Sequence, residues 1–151
     1  MKKLLPYVLA FHAALAAAIL LWALQEKFPG PLTNTLSPVW NSPWEMGKAA
    51  FFPLLAAAPT LWVLQKGGSR GGLCLMALSG AALALALAWT PLAPAAVAVL
   101  AITAALALYA ALWRRVSGDA LPWYLLTAAL GAAYILLTIL PPPRGIFSPC
   151  T

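Results

Sequence analysis

The residues of this chain that can do chemistry are few, and most of them gather in one stretch. From Phe28 to Pro53 the sequence reads FPGPLTNTLSPVWNSPWEMGKAAFFP. Within it, Ser42-Pro43-Trp44-Glu45 has the form of a capping box. Ser42 caps a helix, Pro43 takes its first position, and Glu45 reaches back to the Ser42 N–H. The Glu45 charge suits the positive end of that helix, and Lys48, three residues on, falls within pairing reach on the same face. Two readings stand side by side. The structural one is a capped, ion-paired helix start. The functional one is a pocket faced by Asn41, Trp44, Glu45 and Lys48 and roofed by the proline-rich loop, with Pro53 and Pro59 kinking the helix and freeing carbonyls beside it.

Two further residues complete the candidates. His12 lies near the centre of the first apolar stretch, where a polar side chain is a functional suspect by default. Its imidazole can relay a proton or ligate a metal, but with no second His, Asp or Glu at that depth it makes no metal site unaided. The structural alternative is a hydrogen bond to a neighbouring helix, through Tyr134, Thr127 or Thr138. Arg144 stands in the tail Pro141-Pro142-Pro143-Arg144-Gly145-Ile146-Phe147-Ser148-Pro149. A triple proline is stiff and extended, and it carries Arg144 back toward the first loop. There Arg144 and Lys48 suit an anionic headgroup or a carboxylate. No cofactor and no metal are expected.

The elements that must position these residues follow from composition. Of 151 residues, 64% are hydrophobic and 8% charged, and the mean hydropathy is +0.90. Soluble domains carry about 25% charged residues, so an ordinary soluble domain and a disordered chain are both excluded. A span needs roughly 20 apolar helical residues, and five stretches qualify: 4–24, 44–64, 72–90, 95–113 and 121–140. Pro91 and Pro94 break what would otherwise be one long helix over 72–113. The first stretch is too long for a secretory signal and lacks its cleavage grammar, so it reads as a retained helix. The expectation is one all-α transmembrane domain over 1–151, with an outer loop at 25–43 and an outer tail at 141–151.

Charge sets the orientation. Nine Lys and Arg against three Asp and Glu give +6. With the N-terminus inside, Lys2, Lys3, Lys66, Arg70, Arg114 and Arg115 are inner and Lys27, Lys48 and Arg144 outer, which favours N-in, C-out. The location expected is the cell (cytoplasmic) membrane, as a multi-pass protein. The charge is a topology signal with affinity for anionic headgroups; no basic patch interleaved with aromatics suggests nucleic acid. The seven Trp fall near span ends, as an aromatic belt does. Cys74 and Cys150 belong on opposite faces, so they cannot pair within one chain, although Cys150 can join two chains. Absence of C-x-x-C argues against a thiol-oxidising enzyme, and absence of a carboxylate at depth argues against a proton- or sodium-driven pump.

Small residues recur at four-residue spacing in Gly80-Ala84-Ala88, Ala13-Ala17 and Ala128-Ala132, a spacing that lets helices approach closely in lipid. No internal repeat supports a carrier built from inverted halves.

Pro38-Val39, Ser42, Trp44-Glu45, Lys48 and Phe51-Phe52-Pro53 resemble the P-V-N-E-S-x-W-E-H-x-K-x-x-F-F-P signature of an uncharacterised family of small bacterial integral membrane proteins. The ending Pro142-Pro143 with Phe147-x-Pro149 is similar to that family's closing P-P…F-x-D-P segment. Four positions depart: Trp40 for Asn, Asn41 for Glu, Met46 for His and Ser148 for Asp. A metal or acid–base site at those positions would be altered here. The resemblance implies the membrane fold and an outer-face site and names no reaction. The functional expectation is a binding or accessory subunit with an outer-face lipid or anionic-ligand site, its partners being membrane lipids, a second copy or another membrane subunit. The alternatives are an outer-leaflet enzyme acting on a lipid and an oligomeric small-solute channel or carrier.

Overall fold

The computed structural model describes residues 4–38, 42–65, 69–112, 115–116 and 119–140. These form helices α1 (Leu5–Lys27), α2 (Pro31–Leu36), α3 (Pro43–Leu64), α4 (Arg70–Leu87), α5 (Pro94–Ala111) and α6 (Leu121–Ile139). All but α2 are long and apolar enough to cross a membrane, and they coincide with the five stretches read from hydropathy. The chain is a polytopic membrane protein. The short α2, inside the proline-rich loop, is the element that hydropathy alone does not reveal.

Local chemistry explains the boundaries. Proline opens α2, α3 and α5, where its missing N–H costs no hydrogen bond. Gly30 precedes α2, and its N–H donates to Thr33 Oγ1 at 2.9 Å, while that hydroxyl donates to the Phe28 carbonyl at 2.8 Å. The Ser69 hydroxyl accepts from Gly72 N–H at 3.1 Å and so caps α4. Asp119 Oδ1 accepts from Leu121 N–H at 3.0 Å at the start of α6. Between α4 and α5 the prolines of 91 and 94 enforce a tight hairpin, as expected.

The helices alternate in direction, and contacts at each end show it. At one end the ring of Tyr7 on α1 packs at a tilt against that of Tyr109 on α5, with centroids 6.4 Å apart. The Tyr109 hydroxyl also donates to Gln65 Oε1, just past α3, at 3.4 Å. At the other end lie α2, the start of α3, the α4–α5 hairpin and the end of α6. Helix α3 is central, packing on α4 and α1, with α5 against α4. Along their apolar windows α3 and α4 are 44% buried, whereas α1 and α6 are 11% buried. The last two therefore line the rim.

The core is built largely of alanine. Ala50, Ala57, Ala77, Ala84, Ala101 and Ala105 have no exposed surface. Small side chains let backbones close in, which is the main source of helix association where water supplies no hydrophobic drive. The Gly80-Ala84-Ala88 stripe lies in this core, and a side chain added at Gly80 would meet Leu54 of α3 and Ala105 of α5. Ala13 on α1 also packs against this core, whereas Ala128 and Ala132 are exposed on α6, so the α6 stripe does not join helices in this way.

At Gly47 α6 comes close to α3, because a Cβ there would fall on the Tyr134 hydroxyl. The Tyr134 ring is itself wedged against Trp44, Phe51 and Phe52, so it has little room to yield. Gly47→Ala is expected to lower stability by about 1–3 kcal/mol. Gly131→Ala, whose new methyl meets only Phe51 at 3.8 Å, should be neutral in the same thermal-unfolding assay.

Candidate functional site

The α3 start is a polar knot inside an apolar bundle. Ser42 caps the helix by accepting from Glu45 N–H at 3.3 Å. The Glu45 carboxylate meets the Lys48 ammonium at 2.6 Å, which is the i, i+3 pair expected from spacing. Lys48 is fully buried and its amine goes further. It donates to the Asn34 carbonyl of α2 at 2.8 Å and to the Thr138 hydroxyl of α6 at 2.9 Å. Thr138 in turn donates to its own helix at Tyr134 O, at 2.7 Å. An ammonium has three donors, and all three are engaged here by groups from three helices.

Removing a charge from water costs several kcal/mol, and the loss is offset only with good geometry and full hydrogen bonding. This arrangement meets both conditions. Next to Lys48 lies a cavity of about 30 Å³ bounded by Trp22 of α1, Pro38 and Pro53, room for little more than one water. Glu45, Lys48 and Trp44 are thus brought together as the sequence suggests, with the α2 segment as a roof. The ring of Trp44 lies 4.5 Å from that of Tyr134. Asn41 and Arg144 lie outside the described residues.

His12 does not join them. It is exposed on α1, and its Nδ1 bonds to the Val8 carbonyl one turn back at 2.7 Å. This corrects the expectation of a bond across to Tyr134, Thr127 or Thr138. A histidine that satisfies itself on its own helix needs no neighbour, and Thr127 likewise bonds back to Trp123 O at 2.7 Å. Among the described residues no group of three His, Cys, Asp or Glu could hold a metal ion.

The larger space lies elsewhere. Between α3, α4 and α6 lies an open cleft of about 660 Å³. Its walls are apolar: Phe51, Phe52, Leu55 and Ala58 on α3, Leu73 and Cys74 on α4, Ala128 and Gly131 on α6. One end stops at the aromatic cluster around Tyr134. The other end carries Trp62, Arg70 and Tyr124, with the Arg70 guanidinium 4.8 Å from the Trp62 ring centre. Beside that end, α6 leans on α4 where Trp123 sits over Gly71. Helix α6 is therefore held at both ends and stands off from α3 between them. No single residue type announces such a cleft; the pairing of Trp62 with Arg70 is the one signal in the sequence.

Comparison with protein-family models, curated proteins and solved structures finds no match to this chain.

Breaking the ion pair from one side leaves a buried charge alone. Lys48→Met and Glu45→Gln should each cost about 3–5 kcal/mol. The double variant should lose clearly less than the sum, as read from a double-mutant cycle on unfolding in detergent. His12→Phe should change stability by no more than about 0.5 kcal/mol.

Proposed function

We propose that this chain is a non-catalytic binding protein of the membrane, and that it holds the hydrocarbon chain of a lipid or similar amphiphile in the cleft between α3 and α6. The observation that carries this reading is the cleft itself. Its volume of about 660 Å³ falls in the range of small-molecule sites, about 300–1,000 Å³, which are likewise mostly apolar with a few placed polar groups. A bundle with no such function would gain dispersion contacts by closing α6 onto α3; here the two ends of α6 are pinned and its middle is not.

The site used in this reading is the cleft rather than the Glu45–Lys48 knot. That knot serves the fold, since a ligand entering from the α2 end would have to displace the groups that engage both charges. The same fact sharpens the orientation we propose. With Lys48 sequestered, Lys27 is the exposed base of the α2 end among the described residues. The positive-inside bias supports an orientation with the N-terminus and Arg70 on the inner side of a bacterial inner membrane. The family-like motif around Ser42, Glu45 and Lys48 fits this picture as a structural signature.

Filling the cleft tests the reading. The full-length protein, purified in mild detergent, should retain about one lipid per chain by native mass spectrometry. The double variant Ala128→Trp/Gly131→Leu should lose it while unfolding within a few degrees of the parent. Equal lipid retention by the two proteins would contradict the proposal.

A further inference from the structure

The cleft has a length, a depth and a charged end, and together they restrict what fills it. From Tyr124 at one end to Gly131 near the other is seven residues of α6, and from Trp62 to Phe51 is eleven of α3. At 1.5 Å per residue the longer wall spans about 16 Å. The hydrocarbon core of a bilayer is about 30 Å thick, so the cleft reaches from one membrane surface to the midplane and stops there. Its closed end is the Tyr134 cluster, and its open end bears the Trp and Tyr residues that favour the interface. It matches the acyl region of one leaflet rather than a helix crossing both.

The open end also has a cation with unused capacity. Arg70 is exposed, lies over the Trp62 ring with its guanidinium carbon 4.8 Å from the centroid and, among the described residues, has no carboxylate within ion-pairing distance and no hydrogen-bond acceptor. The acid in this region is Asp119, and its Oδ1 receives the Leu121 N–H at the start of α6. A guanidinium held over an aromatic ring by cation–π attraction still has N–H groups to offer, and its fork of donors suits the two oxygens of a phosphate. Connectivity places Arg115, past the end of α5, at the same end of the bundle.

We infer that the cleft is a site for a phospholipid with an anionic headgroup, drawn from the leaflet on the Arg70 side, with one acyl chain between α3 and α6 and the phosphate on Arg70. This rests on the cleft being a lipid site and adds the headgroup and the leaflet. Trp62 acts as a positioning residue for Arg70. Nothing covalent is involved.

The test is competition. Full-length protein in neutral detergent is given equal amounts of phosphatidylglycerol and phosphatidylcholine with identical acyl chains, and bound lipid is read by native mass spectrometry. The parent protein should favour phosphatidylglycerol by about fivefold, the worth of one basic residue near a membrane surface. Arg70→Gln, a change on an exposed side chain, should still retain a lipid but without preference. Ala128→Trp/Gly131→Leu should retain neither. Retention of both lipids equally by the parent overturns the headgroup assignment and leaves the cleft reading standing. A preference that persists in Arg70→Gln overturns the role of Arg70. Loss of all lipid from the parent overturns both readings.

Discussion

A primary amine buried among apolar helices must have its charge matched and every N–H engaged, and Lys48 is where this chain meets that demand. Its nearest partner, Glu45, belongs to the same helix, so the charge is matched within one turn of α3. The remaining donors reach outward to the Asn34 carbonyl on α2 and to Thr138 on α6. In a medium with no competing water these bonds are costly to leave unmade. One side chain therefore ties a roof helix and a rim helix to the central one. Were Lys48 apolar, α6 would be held to α3 at this end chiefly by the aromatic contacts around Tyr134.

The state of α6 follows from that tie. It packs little against the bundle along its length, yet it is fixed near Thr138 and Tyr134 at one end and over Gly71 at the other. A helix anchored at two points is a strut, and the space behind it is the cleft. Alanine-rich packing works differently in the rest of the molecule, where α3, α4 and α5 close tightly around many buried alanines, with Gly80 admitting Leu54 between α3 and α4. Rigidity and a standing cavity thus coexist. The first comes from small side chains in the core, the second from bulky aromatic and polar contacts placed only at the ends of one helix.

Much of this fold is legible in the sequence because the membrane imposes coarse rules. Runs of about 20 apolar residues set the five spans, and Pro91 and Pro94 set the hairpin. Ser42, Glu45 and Lys48 could be assigned to one capped, ion-paired turn because those interactions are local, within three residues. What reaches across the chain could not be read this way. Asn34 offers Lys48 a backbone carbonyl, which no side-chain pattern marks, and Thr138 lies 90 residues away. His12 misled for the same reason: its depth suggested a partner on another helix, but a carbonyl four residues back sufficed. The cleft is the least legible feature, because the residues that line it, such as Leu55 and Ala128, are ordinary apolar residues of spanning helices.

The tie made by Lys48 is open to direct measurement in bilayers. Leu32 and Ile139 are exposed on α2 and α6, each within two residues of an acceptor that Lys48 bridges. With Cys74 and Cys150 replaced by serine, spin labels at positions 32 and 139 report the separation of the two helices by pulsed electron resonance. A single narrow distance distribution is expected when Lys48 is present, with a longer or broader one in Lys48→Met. Identical narrow distributions in both proteins would contradict the role given to Lys48.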